Sequence, residues 1–293
     1  MTLSVCIVNW NTREDLRLAL TSLRDHPPQQ AQVETLVWDN ASTDGSAQMV
    51  RGDFPEAKLT ESPDNVGYAR ANNALIQASQ GEFILLMNPD VQVLPGTLDT
   101  LLAKAKQDER IAAVACRLLY PDGRLQHSVR EFPTAGLIIW ETLGLSRLFP
   151  HGRTLGAYRM TWWDYADERD VDQPMASLLL VRKRALDQVG LFDEAFPLFF
   201  NDVDLCYRLK QAGWRILFTP DAEAVHRHAA STSQRRPQAI AASHEGLIRF
   251  LRKHYSTRYS RLTMLLLTAL IRTTAWARLL LATLACTPRH RAP

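Results

Sequence analysis

The first third of the chain repeats one arrangement: a short apolar run ends in polar, turn-forming residues, and a stretch with helical spacing follows. Residues 3–8 are apolar and stop at Asn9, and Thr12 with Asp15 three places on marks a helix start for a segment reaching Leu23. Residues 33–38 form a second run that ends at Asp39, and residues 40–46 are rich in turn formers and helix caps. The pattern returns at residues 57–60, at a helical stretch 68–78, at the very apolar 83–87, at a helix opened by Pro95, and at 111–116. Strands alternating with helices predict an α/β fold, a mostly parallel sheet with helices on both faces. Ligands are then expected at the loops following the strands' carboxyl ends. Asn9, Asp39, Asn65 and Asp90 occupy four such loops and are expected to converge on one rim.

Residues 120–173 show no sustained period and read as an irregular connection of short strands and helices. Order returns with an apolar run at 175–181, helices over 185–189 and 202–212, and a strand over 214–218. Cys6, Cys116, Cys206 and Cys286 are far apart and make no C-x-x-C pair, which argues against a zinc ribbon or a disulfide scaffold and fits a reducing cytosol. The N-terminal apolar run lacks a basic leader, so export is not expected.

The net charge of +3 conceals an asymmetry. Residues 246–293 hold nine of the 34 Lys and Arg and none of the 31 Asp and Glu, so an acidic body carries a basic tail. Apolar residues interleaved with those charges favour an anionic membrane surface over nucleic acid. Arg272 and Arg278 interrupt the tail, which argues against a conventional span. At about 100° per residue, Arg261, Thr268 and Arg272 lie within about 40° of one another, giving a polar stripe on an otherwise apolar helix. A helix lying in the interface fits, as does a helical hairpin packed on the domain or on another subunit. The expected division is residues 1–245 as one domain, with a nucleotide-binding part to about 116 and an acceptor part from 117, followed by the tail at 246–293.

Four places could carry chemistry, each with a plain structural alternative. The loop from Asp39 to Ser46, including Asp44, suits hydrogen bonding to a base and ribose, or is a solvated turn. Asn88-Pro89-Asp90 delivers a carboxylate at the tip of a buried strand, where Mg²⁺ or Mn²⁺ with oxygen ligands could sit, or is an ordinary turn. Asp202 and Asp204 follow the aromatic Phe199-Phe200 at a helix start, so Asp202 is either a general base or an N-cap. His226, with His228 two places on, is a metal ligand or a structural histidine.

Taken together these segments resemble family 2 inverting glycosyltransferases of the GT-A fold, in particular the bacterial rhamnosyltransferase-like branch. The supporting stretches are Val5 to Asn11, Trp38 to Ser46, Asn65 to Asn73, Leu86 to Asp90, Val181 to Arg184, Gly190 to Glu194, Asn201 to Arg208, and Val225-His226. The resemblance covers roughly residues 2–255. It implies that Asp39 binds the pyrimidine base, and that Asn9, Asn11, Asn65, Gly67, Arg70 and Asn88 help to cradle a nucleotide sugar. It further implies that Asp90 and His226 contact Mg²⁺ or Mn²⁺ and that Asp202 deprotonates the acceptor, with Asp44 and Asp204 as supporting carboxylates. The implied donor is a dTDP- or UDP-sugar. The implied acceptor is a glycan or polyprenyl-diphosphate-linked precursor, met by a cytoplasmic enzyme peripheral to the inner face of the membrane; no nucleic acid is expected. Four departures stand out: Asn88 replaces the first acid of a D-x-D motif, Asn201 a glutamate, Ala176-Ser177 a Gly-Ala pair, and Ala229-Ala230 glycines. A nucleotide-sugar-binding protein without catalysis is the alternative. A nicotinamide oxidoreductase is disfavoured because no G-x-G-x-x-G follows the first strand.

Overall fold

A computed structural model describes residues 2–149, 151–227 and 236–285. His228 and Ala229-Ala230 lie outside the described residues, as does Cys286. The first half alternates as expected: β1 (Thr2–Asn9), α1 (Arg13–Asp25), β2 (Gln32–Asp39), α2 (Ser46–Asp53), β3 (Lys58–Glu61), α3 (Tyr68–Ala78), β4 (Phe83–Met87), β5 (Val91–Val93), α4 (Thr97–Gln107) and β6 (Ile111–Leu119). The irregular stretch contains β7 (Leu125–Gln126), β8 (Val129–Arg130), α5 (Ala135–Thr142), α6 (Leu145–Leu148), β9 (Arg169–Asp170) and β10 (Gln173–Pro174). The rest is β11 (Leu178–Arg182), α7 (Lys183–Val189), α8 (Asn201–Gln211), β12 (Arg215–His226), α9 (Arg236–Tyr255) and α10 (Arg261–Ala285).

The main sheet has the order β3-β2-β1-β4-β11-β6-β12-β5. Strands β3, β2, β1 and β4 run parallel, β11 is antiparallel between β4 and β6, and β12 is parallel to β6. Every residue of β4 and β11 is buried, so their unbroken apolar runs are those of strands covered on both faces. One core cluster packs Leu16, Leu20 and Leu23 of α1 and Leu98 and Leu101 of α4 on the sheet, and a second packs Leu75 and Ile76 of α3 and Leu205 and Leu209 of α8.

Two local expectations are corrected, and the charge boundary is located in the fold. Thr12 precedes α1, but its hydroxyl donates to Asn9 Oδ1 (2.7 Å) instead of capping the helix; Asp44 Oδ2 takes the Arg13 amide instead (2.8 Å). The strand expected at 214–218 continues to His226, crossing Pro220 through an irregularity between Thr219 and Glu223. The acidic-to-basic change at 245/246 falls inside α9, where Gly246 packs so closely on Phe199 and Phe200 that a Cβ would meet the Phe200 ring at 3.0 Å.

Helices α9 and α10 pack against one another, and α10 also meets α5. Leu267 and Ile271 of α10 are buried with Ile248, Phe250, Leu251, Phe196 and Val203. The other face of α10 exposes Leu262, Leu265, Leu266 and Trp276. Despite Arg272 and Arg278, Arg261–Ala282 is long and apolar enough to cross a membrane by length and composition.

Candidate active site

Four chain segments build one cleft at the carboxyl ends of β1, β2 and β4. The parallel register pairs Asn9 with Asp39, so two loops start side by side. Asn9 is buried and donates to Asp39 Oδ1 and to Ser42 Oγ, both at 3.1 Å, and the Ser42 amide donates to Asp39 Oδ2 at 2.9 Å. Asn11, at φ +51°, accepts the Thr43 amide at 2.8 Å. Asp44 closes the loop by accepting from the Ser46 hydroxyl and from the Arg13 and Ser46 amides. Burial opposes its charge, yet these bonds hold its carboxyl below the usual range. Asp44 is thereby a brace of the loop.

Asn40 extends the arrangement to the next segment. Its amide donates to Asn65 Oδ1 (3.0 Å), and its carbonyl oxygen accepts the Val66 amide (2.8 Å). Gly67, at φ +84°, lies against Pro197, whose oxygen an added Cβ would meet at 3.0 Å; glycine is required on both counts. Arg70 is exposed in the first turn of α3.

Asp90 and His226 are both buried, and His226 Nε2 lies 3.4 Å from Asp90 Oδ1. On the other side of the ring, Nδ1 is 2.6 Å from Gln126 Oε1. An imidazole that donates from Nδ1 to a carbonyl oxygen such as that of Gln126 can offer its Nε2 lone pair to a cation. Two adjacent ligands of an octahedral ion with roughly 2.1 Å bonds stand about 3 Å apart, so the pair suits one shared Mg²⁺ or Mn²⁺. Among the described residues no third His, Cys, Asp or Glu joins them, and the remaining positions suit phosphate oxygens and water. Asn88 is half-buried, its amide donating to Ser177 O at 2.8 Å.

Asp202 is the second residue of α8, whose N-cap Phe200 is in the left-handed region at φ +67°, a strained position for an aromatic residue; the Asp202 carboxylate is held by two amides. Its Oδ1 accepts the Val203 amide at 2.9 Å, and Oδ2 accepts a long bond from the Ala176 amide at 3.4 Å. Burial pushes the Asp202 carboxyl above the usual range, against those amides and the charge of Arg130. Tyr68, bonded to Ala176 O at 3.2 Å, lies within the electrostatic reach of both Asp202 and Asp90, which together with burial push its hydroxyl up. Backbone contacts on two neighbouring residues connect the two carboxylate loops, the Ala176 amide on Asp202 and the Ser177 carbonyl on the Asn88 backbone amide, and both charges act on Tyr68. Asp204 turns away. It is fully buried and bonded to Arg208 Nε (2.8 Å), Lys253 Nζ (2.7 Å) and His254 Nε2 (2.7 Å), bracketing α8 to α9.

Tyr68, Asn40, Gln126 and Arg130 were not singled out by the sequence. Tyr68 and Asn40 lie inside named motifs, Asn65 to Asn73 and Trp38 to Ser46, and could have been; Gln126 and Arg130 lie in the stretch without a period. Ala176 and Ser177 are both buried without displacing Asp202 from the Ala176 amide.

Residues 4–160 match the model of glycosyl transferase family 2. The chain is 34% identical over 251 residues to an N-acetylglucosaminyl-diphospho-decaprenol L-rhamnosyltransferase of Mycobacterium tuberculosis, covering 82% of this chain and 80% of that protein. It is 27% identical over 170 residues to the rhamnosyltransferase WbbL of Escherichia coli K12, covering 55% and 60%. In fold it is similar to the mannosyltransferase PcManGT from Pyrobaculum calidifontis in complex with GDP-Man and Mn²⁺, with TM-score 0.59 and 17% identity, covering 97% of this chain and 75% of that one.

Proposed function

The chain belongs to glycosyl transferase family 2, and from that premise we propose that it transfers a sugar, with L-rhamnose the first candidate, from a dTDP or UDP donor to a polyprenyl-diphosphate-linked glycan, with inversion. The observation that supports this reading is the link from Asp202 through Ala176 and Ser177 to the loop that carries Asp90, which pairs with His226. Asp39 and the loops braced by Asn9, Asn11 and Asn65 receive the nucleotide, with Gly67, Arg70 and Asn88 beside them. Inversion requires an acceptor oxygen in line with the departing diphosphate. Asp202 takes the acceptor hydroxyl's proton as that oxygen bonds to the anomeric carbon, and its raised pKa makes it a better base than an ordinary carboxylate. Asp90 and His226 would hold a Mg²⁺ or Mn²⁺ ion, which would supply positive charge to the leaving diphosphate. The relatives support the sugar and the acceptor class, since one is named for transfer of L-rhamnose to a decaprenol-linked diphosphate.

We place residues 1–116 as the donor half and 117–245 as the acceptor half, with the exposed apolar face of α10 resting on the cytoplasmic membrane surface. The test is release of nucleoside diphosphate from a panel of nucleotide sugars, with a GlcNAc-diphosphate-prenol acceptor present. Acceptor-dependent release from dTDP-rhamnose supports the reading. Donor binding without turnover of any sugar refutes it and leaves a binding protein.

A further inference from the structure

Next to the start of α8, between α5, α9 and α10, lies a cavity of about 190 Å³, far more than the roughly 10–15 Å³ that one water needs. Its acidic lining residue, Glu141, is already engaged, accepting from Arg159 Nε at 2.7 Å and from Ser146 Oγ at 2.7 Å. Two further arginines remain. Arg130 lies over the Tyr158 ring, 5.7 Å from its centroid, bonds to Tyr158 and interacts with the charges of Asp202 and Glu141, and Arg278 comes from α10; among the described residues neither makes a salt-bridge contact with a carboxylate. His244 also lines the cavity. Burial, and then the charge of Arg278, push its pKa down against the Ile240 carbonyl bond, so the positive charge rests on the arginines. Leu137, Leu247 and Ile271 supply hydrocarbon wall.

The cavity touches the cleft at two points. Phe200, which precedes Asn201 and Asp202, forms part of its wall, and Arg130 acts electrostatically on Asp202. None of Asp39, Asp90 and His226 lines it, so it is separate from the place where a donor diphosphate would lie. On the far side of α10, the exposed leucines and Trp276 face outward. Guanidinium groups outside salt-bridge contact with a carboxylate, beside aliphatic walls, complement a molecule that joins phosphate to hydrocarbon.

We infer that this cavity receives the diphosphate and adjoining prenyl carbons of a polyprenyl-diphosphate-linked acceptor, with Arg130 and Arg278 pairing with its phosphate oxygens. The inference rests on the acceptor class proposed above and adds the residues that hold it.

The test uses the full chain and needs no turnover. Farnesyl diphosphate, inorganic pyrophosphate and farnesol are titrated separately. Farnesyl diphosphate is expected to bind at least tenfold more tightly than either of the others. Arg278→Glu is expected to weaken it roughly tenfold or more, the loss of a charge-assisted pair, and Arg278→Lys to recover most of it. Leu247→Trp, which fills the cavity, serves as a second variant should charge reversal disturb α10, and it is expected to abolish binding. In turnover, Arg278→Glu raises the KM for the lipid acceptor and not that for the donor. Equal affinity of wild type and both variants, or of pyrophosphate and farnesyl diphosphate, overturns the assignment. Sugar transfer with Arg278-independent prenyl binding refutes the cavity and keeps the function. Arg278-dependent binding without transfer from any nucleotide sugar keeps the cavity and refutes the function.

Discussion

His226 Nε2 stands 3.4 Å from Asp90 Oδ1 because β5 is antiparallel to β12 in a register that pairs His226 with Val91. The Arg227 amide, donating to Asp90 O at 3.0 Å, extends the same ladder by one residue. A three-residue edge strand thus brings together two distant parts of the sequence.

Gln126, whose carbonyl oxygen bonds the imidazole at Nδ1, is a sensitive probe of ion binding at this histidine. Chelation is expected to abolish transfer and Mn²⁺ to restore it. Gln126→Leu should raise the Mn²⁺ concentration for half-maximal activity by roughly 10- to 100-fold, the usual cost of losing an outer partner of a ligating histidine. An unchanged Mn²⁺ titration would remove His226 from the site.

Asp202→Asn should lower turnover by roughly 10²- to 10⁴-fold, as loss of a general base does. The same change should raise the Tm at neutral pH. With a folded pKa above the unfolded one, the unfolded chain ionises first, so stability from this group falls as pH rises between the two values. Thermal melts from pH 4 to 8 check the sign, and a lower Tm at neutral pH for the variant would contradict it.

Asp204 behaves oppositely. Burial works against its charge, but His254, Lys253 and Arg208 bring its pKa down to about 2. Its contribution, on the order of 2 kcal/mol, is complete above its unfolded pKa of roughly 4 and disappears as pH falls toward 2. Asp204→Asn should therefore lower the Tm at pH 7 and flatten the acid limb of the stability profile, as read by denaturant midpoints.

Membrane docking is checked on the outer face of α10. Replacing Leu262, Leu266 and Trp276 together by Glu, all exposed and outside the core, should abolish flotation with phosphatidylglycerol vesicles and leave the fold intact by circular dichroism. Raising salt should weaken the wild type as well. Arg249, Arg252 and Arg258 are exposed, whereas Lys253 is tied to Asp193 and Asp204, and each basic group near an anionic surface adds about 1 kcal/mol. Flotation of the triple variant at wild-type levels would place the membrane contact elsewhere.

Asp39 and Asp90 were expected together because each follows an apolar strand, and such strand ends in an α/β sheet face a common rim; Asp202 lies at a helix start after an aromatic stretch, and His226 ends a strand that runs eight residues past its apolar part. The directions of the carboxylates on α8 were not legible. Asp202 and Asp204 are two residues apart on α8, about 200° around the helix, so one meets the cleft and the other meets α9; only the packing of α9 decides which. Gln126 and Arg130 were hidden for a different reason. They lie in two-residue strands defined by pairing with β6 and β10, not by any local period. The two-sided character of α10 was half visible: composition gave the apolar helix, and packing against α9 and α5 selected the buried face.

The seating of α9 and α10 has a practical corollary. A chain cut before Arg236 would uncover Phe196 and Val203 and strip Asp204 of Lys253 and His254, two of its three side-chain partners. Shortening this protein to improve its handling in water would thus damage the footing of the helix that presents Asp202. Repainting the outside of α10 with polar residues is the safer route to a detergent-free preparation.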